Sequence, residues 1–464
     1  MKPLKTLIPI LAAAVVTACG TGTPEWTSLM PDAEMSNWRT VDGNPHPETT
    51  PEEIVIANDK VMIYGPADTE AALPGFRNFV FSARVSTSEG AASSMWFHHG
   101  DGYGYEIALG NKRLDAGRLK RGSLVNVRNI YKSMAPDGEW FDLTVTVKGK
   151  QIAVELDGVL LVDYVEPAEP FRLTGGMGRL GAGTFVFDSY EGTTRLRDVK
   201  MQALADDATG RTDAADETAD PVMDLTQRGF PVIDNHVHLK GWNLAQAMEN
   251  SRRTGIFYAI APNCGIGFPI TDDAGIDAYI DTTRNVAAFR AMQGEGREWP
   301  ATFSEASRRK FDFVFTDAMT FIDHAGRRTR LWIDDEVVID IPVERYMDQI
   351  VDRAVGVVSD EPLDVYVNPF FLPTAMRGDF ETLWTDERVA RVVEALAARG
   401  VALEVNAYYR IPGARIIRAA MDAGVKLSFG TNNYDANIGT LEYCIEMVRE
   451  LGITPEHMFF PENM

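Results

Sequence analysis

Pro231-Val232-Ile233-Asp234-Asn235-His236-Val237-His238-Leu239-Lys240 is the stretch on which the reading of this chain turns. An apolar pair leads into an acid, an amide and two histidines two positions apart. A short apolar run closing on polar residues is the pattern of a buried strand that feeds a chemically equipped loop. The pattern recurs along the C-terminal half. Phe257 to Ile260 leads to Asn263 and Cys264, and Phe289 to Met292 leads to Gln293-Gly294-Glu295. Phe311 to Phe315 precedes Asp317, and Val365 to Val367 precedes Asn368. Leu403 to Val405 encloses Glu404 and meets Asn406, and Lys426 to Phe429 runs into Thr431-Asn432-Asn433. Amphipathic stretches such as Arg388 to Ala398 and Ile438 to Leu451 lie between. Strand-helix alternation builds parallel sheet, and seven such repeats predict a distorted α/β barrel of the TIM type over residues 229–464. Active sites of barrels form where the strands end, which is where these polar residues fall.

Upstream the period changes. Phe79 to Val85, Phe141 to Val147, Ile152 to Leu156, Val159 to Val162, Thr184 to Phe187 and Leu196 to Met201 are short β-prone runs separated by turn residues. Asp157-Gly158 between two of them is a two-residue hairpin signal. Residues 24–204 therefore read as an all-β sandwich. Between the halves, residues 205–228 are rich in Ala, Asp, Thr and Glu and read as a mostly unstructured acidic linker.

The first 18 residues read as an address. Lys2 and Lys5 precede an apolar run, Leu7 to Val16, too short to span a bilayer. Val16-Thr17-Ala18-Cys19 resembles a bacterial lipobox, which implies cleavage, acylation of Cys19 and a lipid-anchored protein of the cell envelope. The formal charge of −22 repels phosphate backbones and argues against a nucleic-acid partner. Three cysteines are too few for disulfides to be the main source of stability.

His236 and His238 share one side of a strand, so both imidazoles can reach one metal ion, or they can be a hydrogen-bonded pair without metal. The segment 229–452 resembles the PHP superfamily of metal-dependent hydrolases and, more distantly, the amidohydrolases. Asp234-Asn235-His236-Val237-His238 is similar to the first metal motif and Gly294-Glu295 to a bridging glutamate. Asp364 to Pro369 and Gly424 to Asn432 are similar to later motifs. The resemblance implies further imidazole and carboxylate ligands, but this chain has Asn368, Asn432 and Tyr434 there, and Cys264 on the second strand. A full three-metal cluster is therefore not expected. One divalent ion on His236, His238 and Glu295, with Cys264 as a further ligand, is the reduced expectation. Asp317 and Glu404 are candidate bases or else salt-bridge partners of Arg327 and Arg415. Asn368, Asn406 and Asn432 are candidate substrate contacts.

Residues 26–204 resemble the 3-keto-disaccharide hydrolase domain, a concanavalin-like jelly roll. Asn78-Phe79-Val80-Phe81, Gly104-Tyr105-Glu106-Ile107, Leu156-Asp157-Gly158-Val159 with Asp163-Tyr164, and Leu196-Arg197-Asp198-Val199 carry the resemblance. It implies lyase and hydratase chemistry on 3-keto-glycosides: removal of the C2 proton, expulsion of the C1 aglycone and hydration of the glucal. Such a site needs a base, an acid and a stacking surface. Glu106 is the candidate base, and His98, with His99 beside it, the candidate acid. Trp96, Tyr103 and Tyr105 are candidate sugar platforms, though aromatics at alternate strand positions are also what a sandwich core looks like. Asp188 and Tyr190 stand where the family often has Gln and His. Three functions stay open: a 3-keto-glycoside enzyme with a degenerate metallo-hydrolase barrel, a metal-dependent phosphoesterase or amidohydrolase with a glycan-binding sandwich, or a glycan-binding protein with an inert barrel.

Overall fold

The structure, a computed structural model, describes residues 25–40, 46–58, 60–65, 77–100, 103–112, 118–172, 178–181, 183–433 and 437–461. Cys19 and the rest of the expected signal segment lie outside the described residues, as does Tyr434.

The N-terminal part is a pair of antiparallel sheets. One runs Thr27–Ser28, Thr193–Ala203, Phe79–Thr87, Phe141–Lys148, Gln151–Leu156, Val159–Val165, with Ile54–Ala57 also on Thr193–Ala203. The other runs Trp38–Thr40, Lys60–Tyr64, Thr184–Glu191, Ala92–Gly100, Tyr103–Ala108. Alternation drives the pairing. In Phe141–Lys148 every second side chain is buried, so one face of the strand enters the core. Phe79, Phe81, Phe97, Phe185 and Phe187 fill the space between the sheets. Asp157 and Gly158 both take positive φ, 49° and 75°, as a type I′ hairpin requires.

Residues 205–228 depart from the expected loose linker. Asn78 donates to the carbonyls of Ala205 and Asp206 at 3.0 and 3.1 Å, and Arg211 pairs with Asp163. Glu217 is 1% exposed, accepts from Tyr164 Oη at 3.2 Å and lies 3.9 Å from Arg172. A helix, Pro221–Gln227, capped by Asp220, buries Met223 and Leu225. The acidic composition concealed this, because the partners that bury Glu217 and hold Arg211 sit on the sandwich.

The C-terminal part is a nearly closed parallel barrel. Seven strands run in order Ile233–Val237, Phe257–Ile260, Phe289–Gly294, Phe313–Thr316, Val365–Tyr366, Ala402–Asn406 and Leu427–Gly430. The seam between last and first is bridged where Asn432 N donates to His236 O at 3.0 Å. Ile233, Ala259, Phe289, Ala291, Phe313, Phe315, Val365 and Ala402 belong to one buried cluster with the sandwich core. The floor of that cluster comes from two places. Phe459 and Phe460 pack edge-on against Phe313 and Phe289. Tyr131, from the sandwich, packs on Phe257 and Phe460 and donates to Phe230 O at 3.1 Å. Arg128 beside it donates to the carbonyls of Arg252 and Arg253, both at 2.9 Å. The sandwich thus closes the end of the barrel opposite the polar one.

Candidate functional site

Inward positions at the ends of the barrel strands carry most of the expected polar residues. A register shift between Asp234 and Val237 turns His236 and His238 toward each other, ring centroids 5.1 Å apart, with His236 4.5 Å above Phe315. His236 Nδ1 lies 2.7 Å from Glu404 Oε1. The other oxygen of Glu404 accepts from Asn368 N at 2.7 Å and from Asn406 Nδ2 at 3.0 Å. A carboxylate so held keeps a proton on Nδ1 of His236 and sets the direction in which Nε2 points. Burial pulls the His236 pKa down, but the charge of Glu404 and the bond to it win, and the net shift is upward. His238 Nδ1 bonds Ala261 O at 2.8 Å, and burial beside His236 takes its pKa down to about 3, so it is a neutral imidazole. Asn368 Oδ1 accepts from Asn406 and Asn432 at 3.0 and 2.6 Å, and its amide donates to Asp317 at 3.0 Å. Asp234 braces the rim by accepting from Thr431 N at 2.9 Å and Gly439 N at 3.1 Å.

Neither expected salt bridge forms: Arg415 pairs with Glu381 and Asp386, and Arg327 with Asp323 and Asp340. Asp317 and Glu404 therefore stay with the amides. Glu295 lies at the same end and accepts from Asn263 Nδ2 at 2.6 Å. Burial, and then the charge of Asp317, push its pKa to about 7.

The expected four-residue metal set does not assemble. Strand alternation points Asn263 inward and Cys264 outward, into a cluster with Ile270, Met292 and Trp299. The Cys264 thiol donates toward Pro262 O at 3.5 Å, and burial raises its pKa to about 12, which disfavours the thiolate a metal needs. Among the described residues no group of three or more His, Cys, Asp or Glu could hold one ion. The two histidines fit by themselves: each has Nδ1 engaged by a carboxylate or a carbonyl, the arrangement that aims Nε2 of a ligating histidine.

The sandwich offers a second site on the outer face of its five-stranded sheet. Pairing registers align Arg39, Ile63, Val186, Trp96 and Glu106 across it. The neighbouring inward row, Met62, Phe187, Met95 and Ile107, is fully buried. Glu106 accepts from Ser94 Oγ at 2.6 Å, and Trp96 Nε1 donates to Asp188 Oδ2 at 3.0 Å. His99 is exposed, its ring 6.1 Å from that of Trp96.

Two expectations fail here. Tyr105 alternates with Glu106 and so faces the core, 2% exposed, stacked on Phe97 and donating to Glu166 at 2.7 Å. His98 is also internal, because a bulge between Phe97 and Gly100 puts it at φ 53°. Its ring packs on Phe79 and Phe97, and Nδ1 accepts from Gly181 N at 3.3 Å. His99 takes the outer position instead. A bulge of this kind has no reliable signature in one sequence.

Comparison with known proteins is informative for the sandwich. Residues 25–202 match the model of the 3-keto-alpha-glucoside-1,2-lyase-like domain. A solved structure described as a glycosyl hydrolase from Parabacteroides distasonis is 16% identical, with TM-score 0.33, over 39% of this chain and 94% of that one. A carbohydrate-binding module of Bacillus subtilis is 15% identical, with TM-score 0.25, over 36% of this chain and 96% of that one. No curated protein matches the chain. The family match is confined to the sandwich, which is similar to a 3-keto-alpha-glucoside-1,2-lyase-like domain.

Proposed function

We propose that this protein acts on 3-keto-glycosides through the outer sheet face of its sandwich. The observation that carries the reading is the direct cross-strand pairing of Trp96 with Glu106, inside a domain that matches the lyase-like model. A ketone at C3 acidifies the C2 hydrogen. Glu106, oriented by Ser94, accepts that proton. The C1–O bond then breaks, the aglycone leaves with the electron pair, and water adds to the glucal. Trp96, its ring plane set by Asp188, supports the sugar face, and His99 donates to the departing oxygen. Acylation at Cys19 places this chemistry at the cell envelope, and no helix among the described residues is long and apolar enough to cross a membrane. The test is aglycone release from a 3-keto-glucoside by the full chain. Glu106→Gln is expected to lower kcat/KM by about 10²-fold or more. Equal rates for wild type and Glu106→Gln overturn the reading.

A second reading places chemistry in the barrel, as a PHP-like or amidohydrolase-like metallo-hydrolase with the sandwich as its glycan-binding module. The paired imidazoles with both Nδ1 atoms engaged favour it. A divalent ion on them supplies Lewis-acid polarisation of a water or a carbonyl oxygen when bound. Glu404 orients His236, Asn368 and Asn406 hold the carboxylates in place, Asn432 braces Asn368, and the three present amides to a substrate. Stoichiometric metal in wild type, lost in His236→Ala, supports this reading, and a metal-free wild type that turns over phosphoester or amide substrates defeats it.

A further inference from the structure

In the third barrel strand, Phe289 and Ala291 point into the barrel, so alternation sends Gln293 to the same side, one step nearer the polar end. Gln293 is 6% exposed, and its side chain interacts with both His236 and His238. Yet its Oε1 has no hydrogen-bond partner among the described residues, and neither has His236 Nε2. Glu404 occupies Nδ1 of His236, so Nε2 is the ring atom left for a ligand, and the amide oxygen of Gln293 is the other open atom. Buried polar atoms left without a partner are destabilising, and a ligand that engages both would relieve that cost. The surroundings favour a cation. Asp234, Asp317 and Glu404 are all buried, and none of them is salt-bridged to a Lys or Arg among the described residues. Gly430 leaves space for this arrangement, because a Cβ there would collide with Glu404 Oε1 and lie 2.8 Å from His236 Cβ.

We propose that Gln293 Oε1 is the third protein donor to a divalent transition ion held by Nε2 of His236 and of His238, in place of Glu295 and Cys264. The proposal rests on the metal reading of the barrel and names the ligand which that reading lacked. Two imidazoles supply nitrogen donors for an ion of the zinc class, and the amide oxygen adds a weaker neutral third donor, leaving a fourth position for substrate or water. The amide is neutral, so the nearby carboxylates balance the ion's charge from outside the ligand set.

The experiment titrates Co²⁺ into chelator-stripped full chain, read by visible absorption, with Zn²⁺ calorimetry in parallel. Wild type is expected to take up one equivalent. Gln293→Leu should weaken binding by about tenfold or more and shift the Co²⁺ band. Gln293→Glu keeps an oxygen donor and should bind at least as well as wild type, even if Gln293→Leu folds poorly. Cys264→Ala should leave affinity unchanged. Wild-type affinity in Gln293→Leu, or a larger loss in Glu295→Gln than in Gln293→Leu, overturns the proposal and leaves the metal reading standing. Failure of wild type to bind either ion overturns both.

Discussion

Glu295 makes the stability of the barrel depend on pH in a direction opposite to that of an ordinary surface carboxylate. Its pKa rises from 4.5 to about 7 because burial, and then Asp317, oppose its charge. The folded state therefore holds this proton more tightly than the unfolded chain does. The stability it contributes is complete below the unfolded value and is lost as pH rises through the folded one. At about 1.4 kcal/mol per pKa unit the full penalty is about 3.5 kcal/mol. It is roughly 1 kcal/mol near pH 5 and roughly 3 kcal/mol near pH 8. Glu295→Gln keeps an oxygen for the Asn263 amide, which now sits at 2.6 Å, and removes the titration. The variant should match wild type within about 1 kcal/mol near pH 5 and exceed it by about 2–3 kcal/mol near pH 8. The assay is urea unfolding at both pH values with chelator present, since a bound cation would itself favour the charged carboxylate. A difference between the two proteins that is flat with pH, or one that shrinks as pH rises, refutes the reasoning.

Other perturbations probe the same frame. Burial beside His236 lowers the His238 pKa from 6.5 to about 3, so the stability it contributes is present above 6.5 and is lost as pH falls toward 3. His238→Asn should unfold at lower pH than wild type in an acid titration followed by near-UV circular dichroism, and an unchanged acid midpoint counts against the assignment. Gly430→Ala should cost about 1–3 kcal/mol by forcing Glu404 away from His236, read from urea midpoints, and a neutral effect would show that this contact is loose. Arg128→Ala leaves the carbonyls of Arg252 and Arg253 without donors and removes a guanidinium lying 4.9 Å over Tyr164. It should cost about 3 kcal/mol, and a loss within experimental error would mean that the two domains cohere without it.

Much of the architecture was legible. All seven barrel strands stand where apolar runs met polar residues, because strands covered on both faces must be apolar throughout and can change character only at their ends. The Asp157-Gly158 hairpin was legible because two positive φ values restrict residue choice. The gathering of His236, Glu404, Asn368, Asn406 and Asn432 followed from the same strand-end logic. What stayed hidden depended on single-residue offsets and on distant partners. Cys264 and Tyr105 lie one position from inward or outward neighbours, and a chemical motif does not say which face a residue takes. His98 changed sides at a bulge. The burial of Glu217 needed Arg172 and Tyr164, which are remote in sequence. Gln293 was legible in principle, since Phe289 and Ala291 set its phase, but a neutral amide draws less attention than the glutamate two residues on.

The barrel borrows its lower seal. Tyr131 and Arg128 come from the sandwich, and Phe459 and Phe460 from the last residues described. A fragment beginning near residue 229 would lose Tyr131 from Phe257 and Phe460 and would associate through that uncovered pair. Loosening either half by mutation should therefore be felt by its neighbour, so the protein gains and loses its two domains together.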